Sequence, residues 1–118
     1  MPDRFDVFIP GNPVPWKAPR INHKTGAVWS PVSMKTWKAH VGWQWKMRQG
    51  PFFEGDVKAS FEFYCKDHGH GDLTNLIKAV EDALQGVAYE NDRQVKRHGE
   101  SFVEVDPMCG VMVTIEEA

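Results

Sequence analysis

Three aspartates, an asparagine and a lysine fall close together along one stretch of the chain. Asp72 precedes an apolar-periodic segment that contains Asn75, Lys78 and Asp82, and Asp92 follows that segment. Because residues three and four apart share a helical face, Asn75, Lys78 and Asp82 are predicted to point roughly the same way. Carboxylates brought together from a helix start and a later loop suit a hard cation such as Mg²⁺. The lysine would then stabilise charge on a phosphate.

Each of these residues also has an ordinary structural interpretation. Asp72 or Thr74 could cap the helix, Lys78 and Asp82 could form an i,i+4 pair, and Asp92 could lie in a turn. Taken singly these structural roles are the commoner ones, so the chemical interpretation depends on the combination.

Hydrophobic periodicity predicts the elements that position these residues. The predicted strands are Phe5 to Ile9, Val57 to Tyr64, Val95 to Val105 with a break at Gly99, and Val111 to Ile115, the last two joined by an Asp106-Pro107 turn. The first predicted helix begins at the capping Ser30 and first-turn Pro31, ends at Gly50, and has an apolar stripe of Met34, Trp37, Val41 and Trp45. The second runs from Asn75 to Gln85 and ends at Gly86. Its apolar face consists of Leu76, Val80, Ala83 and Leu84.

The order of these elements predicts one α+β domain over residues 1–118. A single four-stranded mixed sheet in β-α-β-α-β-β order would be covered by two helices. Between the first strand and Ser30 lies a long basic loop containing Trp16 and Trp29, without helical or strand periodicity. Loops of this length in a small domain are usually functional or disordered, and two tryptophans argue against simple disorder. Trp16 and Trp29 stay open between base stacking and packing, whereas tryptophans at helical spacing are predicted in the core or a dimer interface.

The charge is divided unevenly along the chain. Residues 1–50 hold eight Lys or Arg residues against two acidic ones, a net charge of +6, whereas residues 51–118 hold six against fourteen, a net charge of −8. This asymmetry indicates a basic face for a polyanion beside an acidic patch, although runs of charge are often only solvated surface. The candidate phosphate contacts are Lys17, Arg20, Lys24, Lys35 and Lys38.

Several classes of protein are disfavoured by the sequence. No apolar run approaches the ~20 residues of a membrane span and the first residues carry no signal pattern, so we expect a cytoplasmic protein with no membrane partner. Cys65 and Cys109 lack C-x-x-C spacing and are predicted to be reduced, structural thiols. No glycine-rich phosphate loop is present, which argues against a nucleotide cofactor.

The histidines give a weak signal. His68 and His70 beside Asp72 could form a transition-metal site, but histidines at the surface or on a phosphate are the favoured interpretation. His23, His40 and His98 receive no predicted role.

The run Asp-Leu-Thr-Asn-Leu-Ile-Lys-Ala-Val-Glu-Asp-Ala-Leu from Asp72, followed by Asp92, resembles the signature of RusA-type Holliday junction resolvases. That signature is Asp-x-Asp-Asn-Leu-x-Lys-x-x-x-Asp-Ala-Leu, with an Asp just after the helix. The N-terminal strand followed by Pro10-Gly11-Asn12-Pro13-Val14-Pro15 is also similar, so the resemblance covers nearly the whole chain.

The resemblance implies a small homodimeric, Mg²⁺-dependent endodeoxyribonuclease, often encoded by phages or prophages, that cuts four-way junctions in recombination and repair. In that interpretation Asp72 and Asp92 hold the metal, Lys78 is the catalytic lysine, and Asn75 orients a ligand or the phosphate. Asp82 corresponds to the motif's later aspartate and is a possible third ligand.

Thr74 departs from the family pattern, because it stands where the second metal-binding carboxylate is found. Three explanations are open: a site with two carboxylates and more water, a substitute carboxylate such as Asp82, or a protein that binds junctions and cuts slowly. The alternative function is therefore a junction or single-strand DNA-binding protein with weak or lost catalysis. A nuclease for other branched or flapped DNA is a third possibility.

Overall fold

The computed structural model describes residues 3–29 and 31–118. The strands are β1 (Arg4–Pro10), β2 (Arg20–Ile21), β3 (Val28–Trp29), β4 (Val57–Cys65), β5 (Val95–His98), β6 (Phe102–Val105) and β7 (Gly110–Glu117). The helices are α1 (Val32–Met47) and α2 (Leu73–Leu84), and a 3-10 turn covers Asp92–Gln94. The α+β class and the single layer of two helices on a mixed sheet agree with the prediction.

The main sheet has the order β1-β7-β4, with β5 and β6 sharing the outer edge of β4. β7 is antiparallel to both of its neighbours, whereas β5 and β6 are parallel to β4. At the break between β5 and β6, the backbone N–H of Gly99 donates to the Ala59 carbonyl, and the Ser101 hydroxyl accepts from the Phe61 N–H. The predicted third strand is therefore two short strands that occupy one position in the sheet.

The Asp106-Pro107 connection does not close a β-hairpin, which corrects the prediction. β6 and β7 lie on opposite sides of β4, and the connection crosses the end of that strand, where the Asp106 N–H donates to the Cys65 carbonyl at 2.9 Å. Strand periodicity is the same in either arrangement, so it could not distinguish them.

Both helices pack on one face of the sheet, because alternate residues of each central strand are apolar. β4 buries every second side chain from Val57 to Cys65, and α1 buries the predicted stripe of Met34, Trp37, Val41 and Trp45. α2 buries Leu76, Ala79, Val80 and Leu84 against the same core. The positive φ of Gly86 allows the chain to turn away after α2.

The ends of the basic loop differ from the prediction. Ser30 lies outside the described residues, and Pro31 is the N-cap of α1 rather than its first helical residue. The loop itself contains a short antiparallel ribbon formed by β2 and β3. Among the described residues, neither helix combines the length and apolar character required for a membrane span.

Candidate active site

The candidate site begins at the N-terminus of α2. Asp72 is the N-cap residue, with extended backbone angles, and its Oδ1 accepts the Asn75 backbone N–H at 2.8 Å. The Asn75 side-chain amide donates to Oδ2 of the same carboxylate at 3.3 Å. The capping interpretation of Asp72 is therefore confirmed, and Asn75 fixes the orientation of that carboxylate.

Residues 15–17 of the basic loop are fixed against this helix end. The Trp16 backbone N–H donates to the Asn75 carbonyl at 2.9 Å. Gly71 has φ +79° and approaches Pro15 so closely that an added Cβ would lie 3.0 Å from the proline ring. The Trp16 ring lies under the Lys78 ammonium, with 3.6 Å from Nζ to the ring centroid. Trp16, which the sequence left open, is thus a half-buried packing residue beside the site.

Asp92 returns to α2 because its loop is anchored at several points. Its backbone N–H donates to the Gln85 side chain at 3.2 Å, and Asn91 caps the 3-10 turn that Asp92 begins. The Gln94 side chain donates to the Phe53 carbonyl at 2.9 Å, which fastens the turn to the segment before β4.

A surface pocket of about 340 Å³ lies between α2, this turn and β5. Its lining residues come from all three elements and include two of the predicted catalytic residues: Thr74, Ile77, Lys78, Glu81, Asp92 and His98. Lys78, Asp92 and Thr74 therefore line one pocket, whereas Asp72, which was expected to converge with Asp92, is not part of its lining.

Glu81 and His98 both line this pocket, and their side chains are in contact. His98 Nε2 lies 2.7 Å from Glu81 Oε2, and the Glu81 side chain is only 15% exposed. Burial raises the pKa of the Glu81 carboxyl, the nearby Asp92 and Asp82 raise it further, and His98 partly opposes the rise. The pocket therefore contains a poorly solvated carboxyl in contact with an imidazole.

Tyr89 supports Glu81 from the core. Its hydroxyl donates to the Glu81 backbone carbonyl at 2.8 Å, and the ring is fully buried. Burial, together with the neighbouring carboxylates, raises the pKa of the Tyr89 hydroxyl far above its ordinary range. Tyr89 is therefore a neutral hydrogen-bond donor that holds this turn of α2.

Asp72 and Asp82 are not among the residues that line the pocket. Asp72 caps the helix, and Asp82 follows Glu81 on the side of α2 next to the pocket-lining face. Among the described residues, no group of three or more His, Cys, Asp or Glu side chains is close enough to hold one metal ion. The proposed roles of both aspartates toward a metal stay predictions.

The predicted DNA contacts lie on the loop and on α1. Lys17 directly follows Trp16, Arg20 lies in β2, and Lys24 lies in the tip between β2 and β3. These three residues and Lys35 on α1 are exposed, and Lys38, also on α1, is half-buried. The exposed Lys17 side chain could therefore contact a polyanion. Lys17 directly follows Trp16, the residue that contacts Lys78.

The surroundings of His68, His70 and the two cysteines give no evidence of a catalytic role. His68 is exposed, and His70 Nδ1 lies within hydrogen-bonding distance of the Gly71 carbonyl oxygen. Both cysteines are free, and burial raises the pKa of the Cys65 thiol, which opposes nucleophilic reactivity. The burial of Cys65 agrees with a structural role, and the reduced state of the two thiols stays a prediction.

Glu81 and His98 are polar pocket residues for which the sequence predicted no role in the site. Glu81 lies seven residues after Thr74 and three after Lys78, so helical spacing alone places it on the pocket face. The predicted face of Asn75, Lys78 and Asp82 lies about one residue further along α2 than the face that lines the pocket. His98 had no such signal, because its position depends on the parallel pairing of β5 with β4.

Comparison with known protein families identifies the chain as an endodeoxyribonuclease. The family described as Endodeoxyribonuclease RusA matches residues 10–116, from the end of β1 almost to the end of β7. The chain belongs to the RusA family, as its helix motif indicated. No curated protein sequence matches it significantly.

Proposed function

We propose that this protein is a Mg²⁺-dependent endodeoxyribonuclease that cuts four-way DNA junctions, of the kind that phages and prophages use in recombination and repair. The observation that carries the proposal is the shared pocket of Lys78 and Asp92, which come from different elements and are fixed there by separate contacts. Family membership supports the class of reaction, hydrolysis of a DNA phosphodiester.

The donor chemistry around the pocket fits Mg²⁺. This ion prefers oxygen ligands, takes one or two carboxylates and keeps several waters. Asp92 and Glu81 offer carboxylates, Thr74 offers a hydroxyl, and the pocket is open to solvent on one side. Asp92 would hold the ion from the pocket, and Asp72, the other carboxylate of the motif, would have to reach it from outside the pocket lining. When bound, Mg²⁺ supplies a Lewis acid at the scissile phosphate and makes water a stronger nucleophile at neutral pH.

Lys78 and Asn75 have distinct roles in this proposal. The Lys78 ammonium is exposed at the pocket and stabilises negative charge that develops on the phosphate oxygens. Asn75 acts on Asp72, because its two hydrogen bonds hold both carboxylate oxygens in one orientation.

DNA binding requires a source of attraction outside the acidic site. Carboxylates near the pocket repel a phosphate backbone, whereas the exposed Lys17, Arg20 and Lys24 attract it. Since Lys17 follows Trp16 directly, bound DNA would extend from the ribbon to the pocket mouth. Lys35 and Lys38 on α1 would add contacts to the backbone.

A homodimer would make the cutting symmetric. A two-fold axis presents two identical pockets to a junction whose opposing strands are related by the same symmetry. Paired nicks on opposite strands are the expected product.

A second candidate function is junction binding without efficient cleavage. Thr74 favours it, because a neutral hydroxyl lines the pocket where the family pattern has a carboxylate. A neutral ligand is a poorer donor to Mg²⁺ than a carboxylate.

The deciding experiment uses a labelled synthetic four-way junction and a matched linear duplex, each incubated with the protein in Mg²⁺ or in EDTA. Symmetric nicks in the junction alone, dependent on Mg²⁺, are expected. A junction that is shifted but uncut in both buffers would establish the binding function instead. Absence of both binding and cutting would refute both.

A further inference from the structure

The Lys78 ammonium is held against an aromatic face. Its Nζ lies 3.6 Å from the centroid of the Trp16 ring. A cation within ~6 Å of an indole centroid is attracted by the electron-rich face. Trp16 belongs to the segment between β1 and β2, whereas Lys78 belongs to α2, so this contact joins the basic loop to the pocket.

Trp16 is itself fixed in place. Its backbone N–H donates to the Asn75 carbonyl, and its ring packs against the hydrophobic core. The next residue, Lys17, donates its backbone N–H to the buried sulfur of Met34 at 3.2 Å. The loop is thus attached to both helices at the point where it meets Lys78, and the indole is a rigid support.

An indole orients a lysine without neutralising it. Among the described residues, no carboxylate lies within 4.0 Å of the Lys78 ammonium nitrogen. A carboxylate partner would compete with a phosphate for the ammonium, whereas the indole has no net charge. An exposed lysine on its flexible four-carbon stem otherwise samples many rotamers.

We propose that Trp16 is a positioning residue that holds the Lys78 ammonium at the mouth of the pocket, ready for the scissile phosphate. This inference rests on the proposed function for its catalytic consequence. In this inference, residues 15–17 connect the basic loop, which attracts DNA, to the Lys78 ammonium, which acts on the scissile phosphate.

The contact can be measured without any reaction. In protein labelled with ¹³C-lysine, the Lys78 ε-methylene protons should be shifted upfield by the ring current of Trp16. That shift should disappear in Trp16→Leu and persist in reduced form in Trp16→Phe. Trp43→Leu is the matched control, because Trp43 is 61% exposed on α1. It should leave the Lys78 resonances unchanged.

Single-turnover cleavage of the junction tests the consequence. Trp16→Leu should slow the chemical step about tenfold, the size of a partly desolvated cation–π contact, while junction affinity changes less than about twofold. Trp16→Phe should recover most of the rate, because a phenyl face also attracts the ammonium. In a Lys78→Ala background, Trp16→Leu should have no further effect.

Three results would overturn the inference. These are an unshifted Lys78 resonance, equal slowing by Trp16→Leu with and without Lys78, or a loss of affinity that accounts for the whole effect. Thermal unfolding of each variant identifies any that fails to fold, and Trp16→Phe then carries the comparison. If the wild-type protein cuts no junction, the proposed cleavage fails, while the resonance still decides whether Trp16 holds the lysine.

Discussion

Asn75 holds both carboxylate oxygens of Asp72, through its backbone N–H at 2.8 Å and its side-chain amide at 3.3 Å. The same aspartate is therefore a helix cap and a candidate metal ligand. Asparagine caps a helix about as well as aspartate but carries no charge. This difference allows the two roles to be separated.

Asp72→Asn should leave the free energy of unfolding nearly unchanged and abolish cutting. Asp72→Ala should abolish cutting as well and also cost about 1 kcal/mol of stability, since the cap is lost. Urea unfolding and junction cleavage in Mg²⁺ measure the two effects. Cleavage by Asp72→Asn at the wild-type rate would leave Asp72 with its capping role alone.

Lys78→Ala should reduce the single-turnover rate about 10²- to 10³-fold, as is typical for loss of one group that stabilises transition-state charge. Junction binding in EDTA should change little, because Lys78 is one cation among several. Lys96→Ala, which removes the same charge from exposed β5, is the control. Equal losses of binding and rate would reduce Lys78 to a phosphate contact.

Thr74→Asp should restore the carboxylate of the family pattern to the pocket. We expect half-maximal activity at a several-fold lower Mg²⁺ concentration, because Mg²⁺ favours carboxylate ligands. Thr74→Asn, which adds similar bulk without charge, should not reproduce the effect. Identical Mg²⁺ dependence in wild type and Thr74→Asp would mean that another group already supplies that ligand.

Glu81 should make stability decrease as the pH rises. Burial raises the pKa of this carboxyl above its ordinary value of 4.5, so the folded chain keeps the proton to a higher pH than the unfolded chain does. The unfolded state therefore gains relative stability as the pH rises from about 4.5 through the folded pKa.

Glu81→Gln cannot ionise but can still accept from His98. Urea titrations from pH 4 to pH 8 should show this variant gaining stability relative to wild type toward the upper end. Glu90→Gln, at an exposed position, should follow the wild-type curve. A constant difference between Glu81→Gln and wild type at every pH would contradict the buried carboxyl.

The sequence predicted the elements well and their pairing partners less well. Alternation in β4 and the stripe on α1 correctly located the core, because burial on one face imposes its period on the sequence. The positions of β5 and β6 depend on parallel pairing across the β4 edge, which leaves no local pattern. The two-residue strands β2 and β3 are too short to show a period.

The motif named two residues that line the pocket, whereas Asp72, Asn75 and Asp82 do not line it. Lys78 and Asp92 do share a pocket, and Thr74 lies with them. Trp16 was unassigned because its contact with Lys78 requires a loop to fold back over α2. No local sequence pattern predicts this contact. It depends on the hydrogen bond from the Trp16 N–H to the Asn75 carbonyl and on the positive φ of Gly71.

The position of β7 has a consequence for synthesis. This strand is the last element in chain order, yet it lies between β1 and β4 and pairs with both. Until residues 110–117 have left the ribosome, β1 has no neighbour in the sheet, and neither helix has a complete surface to cover. Formation of the sheet therefore requires residues from both ends of the described chain, and removal of residues 110–117 would separate β1 from β4.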